Sequence, residues 1–245
     1  MMTDIVLQYK PLGLFNITYK RKMPQRWDDL SPHQLITISE IYEKNLADHV
    51  VVSRMLNIPR FFTKRLHPFQ LFCTVDTLDF ISQFKPCDNF IIKNIQHLKA
   101  PKPKLQDVTW GQFIFVDSYY NNHVSTNNPE TLNKFITALY TTGPFNKDMV
   151  TQNINIAKEL PEQTKQAISI NYRLVLEWLM SKYPTVFKKP KEDDKGDKFS
   201  APDWVKIHDS IVGDDIVNSD RYTQLPVHDV FRLLTRKIKE NVKRT

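Results

Sequence analysis

The sequence predicts a mainly α protein: a multi-helix body, a short β or extended N-terminal arm before it, and a two-helix C-terminal module after a charged tether. Three observations predict this. Apolar residues recur at helical spacing behind Ser, Thr, Asn and Pro start signals along most of the chain. A charged run from Lys188 to Lys198 with no apolar residue separates the last two helical patterns from the rest. β-branched and aromatic residues cluster around a turn signal at the front of the chain, in IVLQYKPLGLFNITYK at residues 5–20.

That front segment reads as one or two short strands or an extended arm, broken at Pro-Leu-Gly, and the arm is assigned to residues 1–24. The helical body follows over 25–187. Ser31-Pro32 is an N-cap and first-turn pair, and Leu35, Ile38 and Tyr42 form the apolar stripe behind it. A helix over about 46–57 and a shorter one after Pro59 come next. TVDTLDFISQF (74–84) predicts a helix capped by Thr74 that buries Val75, Leu78 and Ile81 or Phe84. NFIIKNIQHL (89–98) fits strand or helix, and KAPKPKLQD (99–107) supports only a loop. Thr109 and Gln112 stand at capping-box spacing before an aromatic helix. Pro129 starts another helix, a further one ends near Leu160, and Pro161 opens the longest element, about 162–183. Ile168, Tyr172, Val175, Leu176, Leu179 and Tyr183 share one face of it, while Leu174, Trp178 and Met180 fill the rest, so it should be central.

The tether, 188–199, packs five lysines and four acids between Lys188 and Lys198, a run with no apolar residue to bury, which predicts a pliable spacer. The module after it, 200–245, has a helix from Pro202 and Trp204 that Gly213 can end in left-handed geometry, and an amphipathic helix from Pro226. Its candidate docking surface is Trp204, Ile207, Ile211, Phe231, Leu234 and Ile238, more apolar surface than two short helices can hide in each other. That surface must meet the body of the same chain or the next subunit. A flexible tether of this length would reach ~20 Å, enough for an adjacent copy.

Chemistry is harder to find. The spacing of the glycines excludes GxGxxG, P-loop and GxSxG motifs, and no cofactor, catalytic or metal residue is assigned. Cys73 and Cys87 fit neither a disulfide framework nor a zinc site. His208-Asp209 and His228-Asp229 are spaced unlike the ligand sets of metal phosphohydrolases and read as solvent-facing helix residues. Asp117 shares a helical face with Trp110, Phe113 and Ile114, where it could accept bonds from a neighbouring helix end. The aromatics Phe113, Phe115, Tyr119 and Tyr120 read as core rather than a base-stacking surface. No run is apolar enough to span a membrane, and MMTDIVLQYK lacks signal-peptide order, so a soluble protein made in the cytoplasm is expected. The net charge of +7 permits an acidic partner.

VSRMLNIPRFFTKRL (52–66) resembles a helix-turn-helix, with Asn57 suited to the left-handed turn and Arg60, Lys64 and Arg65 as runner-up DNA contacts. Against it, Thr63 falls where an apolar residue is expected and His67-Pro68 cuts the second helix short.

One resemblance spans about 23–245. MPQRWDDLSPHQL, VTWGQFIFVDSYY and DWVKIHDSIVGDDIVNSDRYTQLPVHDVFRLLTRKIKENVK, in that order, look similar to tail-module proteins of phages and prophages of gut Bacteroidetes, including the crAss-like phages. The resemblance implies a non-enzymatic virion protein of a short tail barrel or neck ring, or a tail-assembly chaperone absent from the finished particle. It implies copies of itself in a ring-like homo-oligomer and other tail or portal proteins as partners, non-specific contact with packaged DNA, and location in the virion after synthesis in the host cytoplasm. Subunits of such a ring would join by heterologous interfaces.

Overall fold

A computed structural model describes residues 2–11, 16–187 and 203–242. The charged tether and Pro202 lie outside the described residues. Among those described, the protein is mainly α with two small antiparallel sheets.

The front segment forms a hairpin. β1 (Met2–Tyr9) pairs with β2 (Ile17–Pro24) in a register that sets Leu7 opposite Tyr19 and Thr3 opposite Met23. Alternation decides which face turns inward: Leu7 and Met23 are buried, with Ile5, Tyr9, Ile17 and Tyr19 packed beside them, while Val6, Lys20 and Lys22 face out. The arm is therefore not free. Tyr9 and Tyr19 both lie against Phe62, ring centroids 6.3 and 4.6 Å away.

α1 (Pro32–Glu43) starts with the expected signal, a complete capping box between Ser31 and Gln34. Leu35 and Ile38 are buried; Tyr42, predicted on the same stripe, is 44% exposed and donates its hydroxyl to the Ile81 carbonyl. α2 (Asp48–Met55) and α3 (Arg60–Thr63) flank a turn in which Asn57 has φ +50°. Then the expected helix over 74–84 fails. Instead His67 and Pro68 start α4 (Pro68–Asp76), with the His67 ring accepting from the Phe69 N–H, and Thr74 sits near its end. Proline at the first turn together with that cap outcompetes Thr74, whose hydroxyl bonds back to the Gln70 carbonyl. Only one 3₁₀ turn (Asp79–Ser82) follows.

Residues 89–98 are neither helix nor long strand. They hold a loop that leads into a two-residue hairpin, β3 (Asn94–Ile95) with β4 (Leu98–Lys99). Phe90, Ile91 and Ile92 are buried there, and side chains satisfy the backbone: Asn171 accepts from the Ile91 N–H and donates to the Asn89 carbonyl, and the Tyr140 hydroxyl donates to the Ile92 carbonyl.

α5 (Trp110–Thr126) begins at its Thr109 cap. Gln112 completes only half a capping box, because its amide donates to the Ala138 carbonyl. α6 (Pro129–Leu139) follows an Asn127 with φ +53°. The helix expected to end near Leu160 is two, α7 (Lys147–Gln152) and α8 (Ile154–Glu159), broken at Asn153. α9 (Glu162–Lys182) is the longest helix described and is covered on most sides; all six predicted stripe residues are buried, and Trp178 and Met180 are partly so. Its first turn holds α1, through a hydrogen bond from the Ser39 hydroxyl to the Gln163 carbonyl. α10 (Trp204–Val212), α11 (Ser219–Thr223) and α12 (Val227–Val242) pack against α5.

Candidate interaction surfaces

The six candidate docking residues lie on the two main helices after the tether, α10 and α12. α10 starts at Asp203, whose carboxylate accepts from the Lys206 N–H, and Gly213 ends it at φ +56°. Trp204 is buried at 2% exposure, and its ring stands edge-on to Trp110 and Phe113 at 5.6 and 5.3 Å. Phe231 of α12 is fully buried against Trp110, Phe113, Tyr183 and Phe187. Ile211 is also buried, Ile207 and Leu234 pack against the core, and Ile238 is half-buried. Most of the expected docking face is thus the inner face of the chain's own core. The physical reason is proximity: α5 presents Trp110 and Phe113 to the same two helices, and edge-to-face rings at this spacing add to area burial. Backbone hydrogen bonds reinforce the seam, from the Trp110 N–H to the Leu225 carbonyl and from the Val227 N–H to the Val108 carbonyl.

Asp117 lies at this seam. Its Oδ2 accepts from the Trp204 indole at 2.6 Å and from Asn121 Nδ2 at 2.7 Å, and its Oδ1 from the Tyr172 hydroxyl at 3.1 Å. Burial raises its pKa, opposed by those three donors. The partners are side chains of α5, α9 and α10 rather than the helix end anticipated. A carboxylate so enclosed ties three helices together and has no open side for a substrate.

Both His-Asp dipeptides point their histidines inward rather than to solvent. His208 Nδ1 accepts from the Trp110 indole at 3.2 Å, and its Nε2 lies 3.3 Å from the Ser219 hydroxyl. His228 Nε2 faces the Lys104 carbonyl and must donate to it, which leaves Nδ1 to accept from the Tyr183 hydroxyl at 2.9 Å. Burial lowers the His228 pKa, as do the nearby Lys182 and Arg232 charges. Among the described residues no group of three or more His, Cys, Asp or Glu could hold a metal. Cys73 is exposed; Cys87 is buried, its thiol pushed up to about 12 by burial. A cleft of about 330 Å³ beside Lys99, Asp107, Thr109 and Thr141 has Asp107 already accepting from the Lys102 N–H.

At 52–66 the structure keeps the turn and loses the reader. Asn57 is left-handed as expected, and the Ile58 N–H returns to the Ser53 carbonyl. But α3 is four residues long, ~6 Å, too short to lie along a groove. Thr63 is buried and donates to the His49 carbonyl. Arg60, Lys64 and Arg65 are exposed, and Arg65 sits over the Tyr9 ring.

Among the described residues, two stretches each hold more than one large apolar side chain at 60% exposure or above, and sequence reading singled out neither. On α3 and α4, Phe61, Phe69 and Phe72 are 63%, 67% and 60% exposed. In the turn between α10 and α11, Ile216 and Val217 are 75% and 96% exposed. Phenylalanines at i and i+3 look like a core stripe in sequence; here α4 turns that stripe outward while Leu71, Thr74 and Val75 pack inward. No helix among the described residues is long and apolar enough to cross a membrane. Comparison with protein-family models, with curated proteins and with solved structures gives no match.

Proposed function

We propose that this chain is a non-enzymatic structural subunit that assembles with copies of itself through heterologous interfaces, in a barrel or neck ring of a phage tail. The observation that carries the assembly reading is the pair of uncovered apolar surfaces, Phe61, Phe69 and Phe72 on one and Ile216 and Val217 on the other. Several large apolar side chains exposed within one short stretch are the pattern of a contact site, whereas a single one is ordinary surface. The tail assignment rests on the ordered resemblance of residues 23–35, 108–120 and 203–243 to tail-module proteins. Native mass spectrometry and negative-stain imaging of the purified protein test it. Closed rings of one subunit number are expected at micromolar concentration. A monomer that persists at several hundred micromolar overturns the reading.

A further inference from the structure

The two uncovered surfaces are opposite in charge as well as alike in being apolar. From His49 to Val75 the chain has no Asp or Glu, and Arg60, Lys64 and Arg65 are all exposed in the same stretch as the phenylalanines. From Ile207 to Asp220 it has no Lys or Arg, and Asp209, Asp214, Asp215 and Asp220 are all exposed in the same stretch as Ile216 and Val217. Each stretch is bounded by the opposite charge, Asp48 and Asp76 on one and Lys206 and Arg221 on the other, but its middle has a single sign: an apolar turn in an acidic stretch against phenyl rings in a basic one.

We infer that the Gly213–Asp220 turn of one copy docks on the α3–α4 face of the next, with Ile216 and Val217 against Phe69 and Phe72, and the aspartates facing Arg60, Lys64 and Arg65. The occupant is a second copy of this chain. A nucleic acid would satisfy the three cations but leave the acidic apolar turn uncovered and repelled, whereas one protein contact uses both surfaces. Their exposure shows that they do not meet within one chain, and they ride on different supports: α10 and α11 on α5, α3 and α4 on α2 and the hairpin. A contact between two different patches is head-to-tail, which generates rings or filaments. The inference rests on the self-assembly reading above and adds the interface.

Three variants and one mixture test it. Phe69→Ser with Phe72→Ser removes the aromatic face, Asp214→Lys with Asp220→Lys reverses the acidic charge while leaving the Asp215 bonds to Asn218 and Tyr222 in place, and Val217→Cys probes contact with the native exposed Cys73 of α4. Sedimentation velocity should show wild-type association that weakens as salt is raised, because exposed charges are screened. Either double variant should weaken it by at least about tenfold, with circular dichroism unchanged. Mixed together, the two double variants retain one good pair of surfaces and should form 1:1 dimers that grow no further. Val217→Cys should cross-link between copies on mild oxidation, and Cys73→Ser should abolish the cross-link. If the wild type assembles and both double variants assemble equally well, this interface is wrong while self-assembly stands. If the wild type is monomeric throughout, both readings fall. Salt-sensitive duplex DNA binding by a monomer, lost in Lys64→Glu with Arg65→Glu, would overturn both in favour of a nucleic-acid face.

Discussion

Asp117 carries a raised pKa in a core of rings, and that direction fixes its pH behaviour. Because the folded state favours the neutral carboxyl, its contribution to stability is complete below the ordinary carboxylate range and is lost as pH rises through the raised value. Asp117→Asn cannot titrate, and its carbonyl can still accept from Trp204 and Asn121 while its amide donates to the Tyr172 oxygen. The melting-temperature difference, wild type minus Asn variant, should therefore be greatest near pH 4 and fall towards pH 8; a difference that grows with pH would refute this. Asp117→Ala leaves donors buried without acceptors and should cost about 1–3 kcal/mol for each one stranded. His228 has the opposite sign. Its lowered pKa means stability present above the ordinary histidine value and lost as pH falls through that range, so the advantage of wild type over His228→Asn should shrink from pH 7 to pH 5. Neither environment was legible in sequence. Asp117 stood out on its helix face, but its partners Tyr172 and Trp204 lie 55 and 87 residues away, and only the packing of α5 with α9 and α10 joins them.

Among the elements, α5 shows where local rules suffice and where they stop. The Thr109 cap and the aromatic face of α5 were readable from spacing. Gly111 was not, since nothing nearby asks for a glycine in a first turn. A Cβ there would stand 2.9 Å from the Thr223 Cβ and 3.2 Å from the Thr223 carbonyl oxygen, so glycine is what lets α11 approach α5. Alanine is worth ~1 kcal/mol more than glycine within a helix. Gly111→Ala should nonetheless lower stability, by about 1–3 kcal/mol, as α11 is pushed away. Gly143→Ala, where a Cβ meets nothing within 4 Å, is the control and should melt within a degree or two of wild type. Equal melting of both variants would show that α11 yields freely. The misread 74–84 helix has the same lesson in reverse. Thr74 satisfied a local start rule, yet Pro68 six residues earlier offered a stronger one, and a helix can obey only one of them. Where signals did not compete, as at Ser31 and Pro129, the expected starts stand.

At the scale of the whole molecule, the question is whether the segment after the tether is an appendage or part of the body. Its amphipathic patterning was legible, and so was the need of its apolar faces for a surface to pack on. What covers it was not, because a helix face does not say which surface it meets. The structure places Trp204 and Phe231 in one aromatic cluster with Trp110, Phe113, Tyr183 and Phe187, and joins the starts of α5 and α12 by two backbone hydrogen bonds, Trp110 N–H to the Leu225 carbonyl and Val227 N–H to the Val108 carbonyl. Removing residues 201–245 would bare those four body rings and strand the Trp110 N–H at once. Phe231→Ala alone should cost about 3–5 kcal/mol, a large part of the 5–15 kcal/mol that holds a typical domain together. The truncated chain should accordingly lose near-UV circular dichroism and cooperative melting, bind a hydrophobic dye, and precipitate on concentration. A soluble truncated monomer that melts as sharply as the full chain would show that the aromatic seam contributes little. Truncation would also delete Ile216 and Val217, so loss of assembly in that variant could not separate a missing contact from a ruined core. Only surface substitutions that leave Trp204 and Phe231 in place can ask the assembly question of a folded subunit.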